Sequence, residues 1–115
     1  MSQYLIAIHR PNDYDASVED DAMRADIDAL NDEMVAQGVR LFVGGLKPIG
    51  TAWSLRPLPG DDLATMHGPY LQAAEHVGGF WVLQTRNAEE ALAWGRKAAI
   101  ACRAGVEVRP FHPCP

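Results

Sequence analysis

The sequence predicts an α+β sandwich, with one mainly antiparallel sheet and two helices. Three observations predict it. Short segments of five to nine residues alternate in polarity or are apolar on both faces, as strands do. Two longer stretches carry apolar residues at spacings of three and four behind good N-caps, as helices do. A strand-helix-strand half stands at each end of the chain, which is the pattern of a ferredoxin-like fold.

Gln3 to His9 alternates Tyr4, Ile6 and Ile8 with Leu5 and Ala7, a strand that is largely apolar on both faces. Arg10 to Asp15 reads as loop, because Pro11 lacks a ladder donor and Asn and Asp favour turns. Ser17 then suits a helix N-cap, with Glu19, Asp20 and Asp21 at the positive end of the helix dipole. Met23, Ile27, Leu30 and Met34 form one stripe, and Gly38 ends the helix as a left-handed residue.

Val39 to Lys47 reads as a second strand, with Val39, Leu41 and Val43 on one side and Gly44-Gly45 marking a bulge or a close backbone approach. Thr51 to Arg56 and Leu63 to His67 form a hairpin around Pro57-Leu58-Pro59-Gly60-Asp61-Asp62. Gly68-Pro69 stops it, and a short connection leads into Val77 to Thr85, where Phe80 and Val82 face away from Trp81 and Leu83. Asn87 caps a second helix with Glu90 three residues on. Its stripe is Ala88, Ala91, Leu92, Gly95, Ala98, Ala99 and Cys102, small enough for close approach to the sheet. Gly105 terminates it, and Val106 to Phe111 is the last strand.

Composition bounds what such a domain does. At 115 residues the chain is one domain's length, and folding it buries roughly 65% of the unfolded surface. A net charge of -5, with Arg96-Lys97 the one adjacent basic pair, opposes nucleic-acid binding. No apolar run reaches membrane-spanning length, and Met1-Ser2-Gln3 passes straight into a strand without a signal-peptide pattern, so the expected location is cytoplasmic. Cys102 and Cys114 are then expected as reduced thiols. Two helices cover one face of a sheet, yet Leu5/Ala7 and Trp81/Leu83 are apolar on the other as well, so the economical cover is a second copy of the chain in a two-fold dimer.

Four segments occur in order: Gly44-Gly45-Leu46-Lys47-Pro48, Met66-His67-Gly68-Pro69-Tyr70, Gly78-Gly79-Phe80-Trp81 and Glu107-Val108-Arg109-Pro110-Phe111. Together they resemble the YCII-related family, specifically its DGPF branch, from about Gln3 to about Phe111. The resemblance implies a dimeric α+β barrel. It also implies one of two roles. Some YCII-type proteins eliminate chloride from chlorinated aromatic compounds, with a His/Asp pair proposed as acid and base. Other DGPF-type proteins are associated with extracytoplasmic-function sigma factors. This sequence departs from the enzymes in having no histidine between Val18 and Gln37, and from the DGPF motif in having His67 for its Asp and Tyr70 for its Phe.

The candidate site residues each carry two readings. His67, at a strand end before Gly68-Pro69, is either an acid/base group in a cleft or a side chain capping a tight turn. Tyr70 is either a hydrogen-bond donor to a ligand oxygen or a core aromatic. His9 and Trp53 are candidate ligand contacts; for His9 the competing role is surface or structural, and for Trp53 it is core or dimer interface. Asp13, Asp15, Glu19, Asp20 and Asp21 match no calcium loop, and His112 with Cys114 is too small a set for zinc, so no metal is expected. The chain contains no P-loop, dinucleotide fingerprint, Cys-x-x-Cys or nucleophile elbow, and no cofactor is expected.

The expected function is therefore a homodimeric small-molecule-binding or regulatory module. The alternative is a cofactor-free lyase or isomerase acting on a small aromatic or carboxylate compound, with His67 as acid/base and Tyr70 orienting the ligand. The expected partners are a second copy, a small-molecule ligand and, by resemblance alone, a protein such as a sigma factor.

Overall fold

A computed structural model describes residues 1–113; Cys114, one of the two expected thiols, lies outside them. Eight regular elements follow in order: β1 (Ser2–Pro11), α1 (Asp21–Ala36), β2 (Arg40–Gly45), β3 (Trp53–Pro57), β4 (Leu63–His67), β5 (Glu75–Thr85), α2 (Ala88–Cys102) and β6 (Gly105–Pro110). Short 3₁₀ turns at Ala16–Val18 and Ile49–Thr51 punctuate the loops. The main sheet runs β2-β5-β1-β6, antiparallel throughout, and β3-β4 form a separate two-stranded sheet. The fold is α+β with ferredoxin-like strand order.

Register decides which residues face the helices. Tyr4 pairs with Leu83, Ile6 with Trp81 and Ile8 with Gly79, and this side packs under Leu30 and Met34 of α1 and Ala91, Trp94, Ala98, Ala101 and Cys102 of α2. Leu5 pairs with Val82 and Ala7 with Phe80 on the opposite, open side. Leu5/Ala7 and Trp81/Leu83 thus belong to different faces rather than together on the uncovered one. The open face is Leu5, Ala7, Phe80 and Val82, joined by Phe42, which pairs with Val82 and stacks 5.7 Å from Phe80.

Strand β2 does not alternate as its sequence suggests. The register shifts between Arg40 and Phe42, leaving Leu41 as an extra, half-exposed residue. A bulge absorbs one residue and changes which side chains share a face. Val43 pairs with Trp81 on the helix side, while Val39 is buried in the core.

Helix α1 starts later than Ser17 suggests. Asp15 caps the 3₁₀ turn by accepting from the Ser17 amide, and Asp20 caps α1 by accepting from the Met23 amide at 2.9 Å. Two short Asp caps satisfy the free amides that one cap cannot. At the far end Gly38 takes φ +70, and the Val39 amide reaches back to the Met34 carbonyl, a Schellman closure. In α2 the cap is Asn87, as its spacing predicts. Its end is set by Arg103 at φ +49 rather than by Gly105, which begins β6. The guanidinium of Arg103 donates to the Ala101 carbonyl and to Asp26 of α1, holding this less favourable backbone conformation in place. Trp94 and Ala101 are buried where Ala88 and Leu92 were expected, which rotates the buried stripe of α2. Gly95 lets α2 settle on β6: a Cβ there would lie 2.6 Å from Cγ2 of Val108.

Candidate functional site

The helix side of the sheet is not filled everywhere. A cavity of about 370 Å³ opens between the end of β1, the end of β2, the first half of β5, the middle of α1 and the 14–19 segment. It is at the small end of the range of ligand pockets, roughly 300–1,000 Å³. Its apolar walls include Ile8, Ile27, Val43 and Trp81, and its polar groups are Arg10, Asn12, Tyr14, Glu19, Asn31, Lys47 and His76.

Strand alternation delivers Arg10. Ile6, Ile8 and Arg10 point to the same side, and β1 continues to Pro11, past the point where the Asn/Asp-rich sequence suggests loop. Pro11 does not interrupt the ladder because it is the last residue of the strand. The Arg10 guanidinium donates to the Cys102 carbonyl at 2.6 Å, at the negative end of α2, and lies 4.2 Å from the Tyr14 ring centroid. None of the ion pairs among the described residues, Arg24–Asp21, Arg86–Glu90, Lys97–Glu33 and Arg103–Asp26, involves Arg10 or Lys47.

The Tyr14 hydroxyl donates to Oε2 of Glu19 at 2.6 Å. Burial first, then this bond to a carboxylate, pushes the Tyr14 pKa up to about 12, with Arg10 opposing in part. Burial likewise pushes the Cys102 thiol up, again partly offset by Arg10. Across the cavity Asn31 is held on both sides. Its oxygen accepts from the Trp81 indole at 2.9 Å and from Arg40 at 3.1 Å, while its nitrogen donates to the Ile27 carbonyl. That fixes the Trp81 ring as a wall. At the rim, Asn12 donates to the Ala73 carbonyl, and its oxygen meets Nδ1 of His76 at 2.6 Å, so two loops are joined over the ends of β1 and β5. Such a pocket has room for a small molecule, with Arg10 and Lys47 as donors and Glu19 as an acceptor in its lining.

The residues singled out from sequence lie elsewhere. His67 and Trp53 pair across β3-β4 and stack at 4.2 Å with planes 15° apart, on the exposed hairpin. Tyr70 follows just beyond, about half exposed, with Arg56 lying 4.3 Å from its ring. Gly68 supplies the bend at φ +129, fixed by the buried Ser54 hydroxyl, which donates to its carbonyl. His9 is half-buried and points to the open side. The structure thus joins His67 with Trp53, and none of the four lines the cavity. Sequence reading passed over Arg10, Tyr14, Glu19, Asn31 and Lys47. The usable signal was Arg10 itself, a cation continuing the Ile6-Ile8 face. No group of three or more metal-ligating side chains occurs among the described residues.

A four-stranded antiparallel sheet with two helices on one side and a pocket beneath one of them defines a small α+β domain with an internal ligand-sized site. The YCII-related domain family model matches residues 1–114, and the chain belongs to that family. No curated protein shows significant similarity to it. No helix among the described residues is long and apolar enough to cross a membrane.

Proposed function

We propose that the protein is a small-molecule-binding domain of the DGPF type that works as a homodimer. The observation that carries the binding reading is the cavity beside Trp81. At about 370 Å³ it is within the size range of ligand pockets, and it opens beside a half-buried arginine that has no carboxylate partner among the described residues.

The open sheet face supports the dimer. Its centre is Leu5, Ala7, Phe42, Phe80 and Val82, with Glu107 and Arg109 beside it on β6, the apolar-centre and polar-rim arrangement of interfaces. Four strands at roughly 4.8 Å and about six residues at roughly 3.3 Å give a footprint of about 400 Å². A standard interface needs about 800 Å² per partner. The hairpin supplies further apolar surface, since Trp53, Leu55 and Leu63 on one of its faces are each more than half exposed. The sheet face alone falls short of that area, and the hairpin is the further apolar surface on offer to a two-fold partner.

The test is a thermal-shift screen of charged and neutral fragments on wild type and on Val43→Trp, which fills the cavity opposite Trp81. A ligand at about one hundred times its Kd stabilises by about 2.7 kcal/mol. Hits should disappear in Val43→Trp; hits that survive the substitution would move the site out of the cavity.

A further inference from the structure

We infer that the cavity takes a small organic monoanion, a carboxylate carried on an apolar body. The inference rests on reading the cavity as the ligand site and adds the ligand's chemical class. Arg10 is the first reason. It is half-buried, one guanidinium nitrogen is committed to the Cys102 carbonyl, and one face lies against Tyr14, yet no carboxylate among the described residues pairs with it. The fork of a guanidinium matches a carboxylate in two parallel hydrogen bonds. Lys47, a second cation without an ion pair among the described residues, lines the same cavity from the β2–β3 connection.

Glu19 limits the charge. Its carboxylate shares the cavity and accepts a hydrogen bond from the Tyr14 hydroxyl rather than pairing with Arg10, so two cations face one fixed anion. That leaves one positive charge to be matched, which suits a monoanion and opposes a dianion such as phosphate. The walls describe the rest of the ligand. Ile8, Ile27 and Val43 are aliphatic, and Trp81, 3% exposed and held by Asn31, adds only an edge to them, so the walls match an apolar body.

The test reads the indole N–H resonance of Trp81 during titration with benzoate, its neutral counterpart benzamide, and inorganic phosphate. Trp94, in the core, and Trp53, on the hairpin, serve as internal controls. Benzoate should move the Trp81 signal saturably and bind about tenfold or more tighter than benzamide. Arg10→Met should weaken benzoate by about tenfold and leave benzamide unchanged. Lys47→Met, at an exposed loop position where folding is not at stake, should weaken benzoate about threefold. Benzamide binding at Trp81 as tightly as benzoate, with both variants silent, would overturn the anion inference and leave the cavity reading standing. Phosphate binding tighter than benzoate would overturn the apolar body. If no probe moves Trp81 while neutral fragments still give hits that Val43→Trp abolishes, the carboxylate class is wrong but the site is right; silence in both experiments sinks both.

Discussion

Gly78 exists as a glycine because Arg10 occupies its side-chain space. A Cβ on residue 78 would lie 2.8 Å from Cγ of Arg10, closer than real Cβ contacts allow. The side chain that carries positive charge into the cavity therefore depends on the absence of one on the neighbouring strand.

Gly78→Ala should consequently displace Arg10 and weaken carboxylate binding, with overpacking costing about 1–3 kcal/mol. Gly105→Ala is the control, because a Cβ there meets nothing within 4 Å and the residue is outside the cavity lining. Melting temperatures and benzoate affinities of the two variants check the difference; equal behaviour would mean that Arg10 moves aside freely.

Gly95→Ala sets two effects against each other. Helix propensity favours Ala by about 1 kcal/mol, but the new methyl would sit 2.6 Å from Val108. Strain on β6 should win, giving a net loss of about 1–2 kcal/mol. Adding Val108→Ala should recover part of it, and a double-mutant cycle by chemical denaturation measures the coupling.

Tyr14 should be recognisable in an alkaline titration. Its pKa of about 12 exceeds the ordinary 10.0, so its contribution to stability is complete below about pH 10 and declines as the pH rises toward 12, where the unfolded chain ionises first. Tyrosinate absorbance, assigned by comparison with Tyr14→Phe, should show one late-titrating ring. Glu19→Gln should bring it down by removing the carboxylate that favours the protonated hydroxyl.

His67→Ala removes a ring stacked on Trp53 at the surface and no core volume. Monomer stability should change by less than about 0.5 kcal/mol, and the benzoate response at Trp81 should be unaltered. Sedimentation equilibrium of wild type should give a dimer at micromolar concentration. Its weakening in His67→Ala or Trp53→Ala would assign the hairpin to the interface, and a persistently monomeric wild type would refute the dimer.

The fold was legible where a local rule decides it: the Met23-Ile27-Leu30-Met34 stripe, the Asn87 cap and the left-handed Gly38 depend on spacing and on a few neighbouring residues. The faces were less legible. Whether Trp81 or Phe80 meets the helices depends on pairing between β1 and β5, far apart in sequence, and both residues are large and aromatic. The site was the least legible part. His67 and Tyr70 drew notice because they stand in a motif, whereas Asn31 works through bonds to Trp81 and Arg40 that no local pattern reveals. Tyr14 and Glu19 looked like loop and helix-start residues, and it is the intervening 3₁₀ turn that brings them within a hydrogen bond.

The spare residue at Leu41 has a consequence for the empty space in the molecule. Were Leu41 to take a regular place in the ladder opposite Val82, Phe42 would stand opposite Trp81 and Val43 opposite Phe80. The larger ring would then plug the hollow, and the open face would lose its outermost aromatic. A single bulge thus settles two volumes at once, keeping the hollow open while sending the bulk it excludes to the outside.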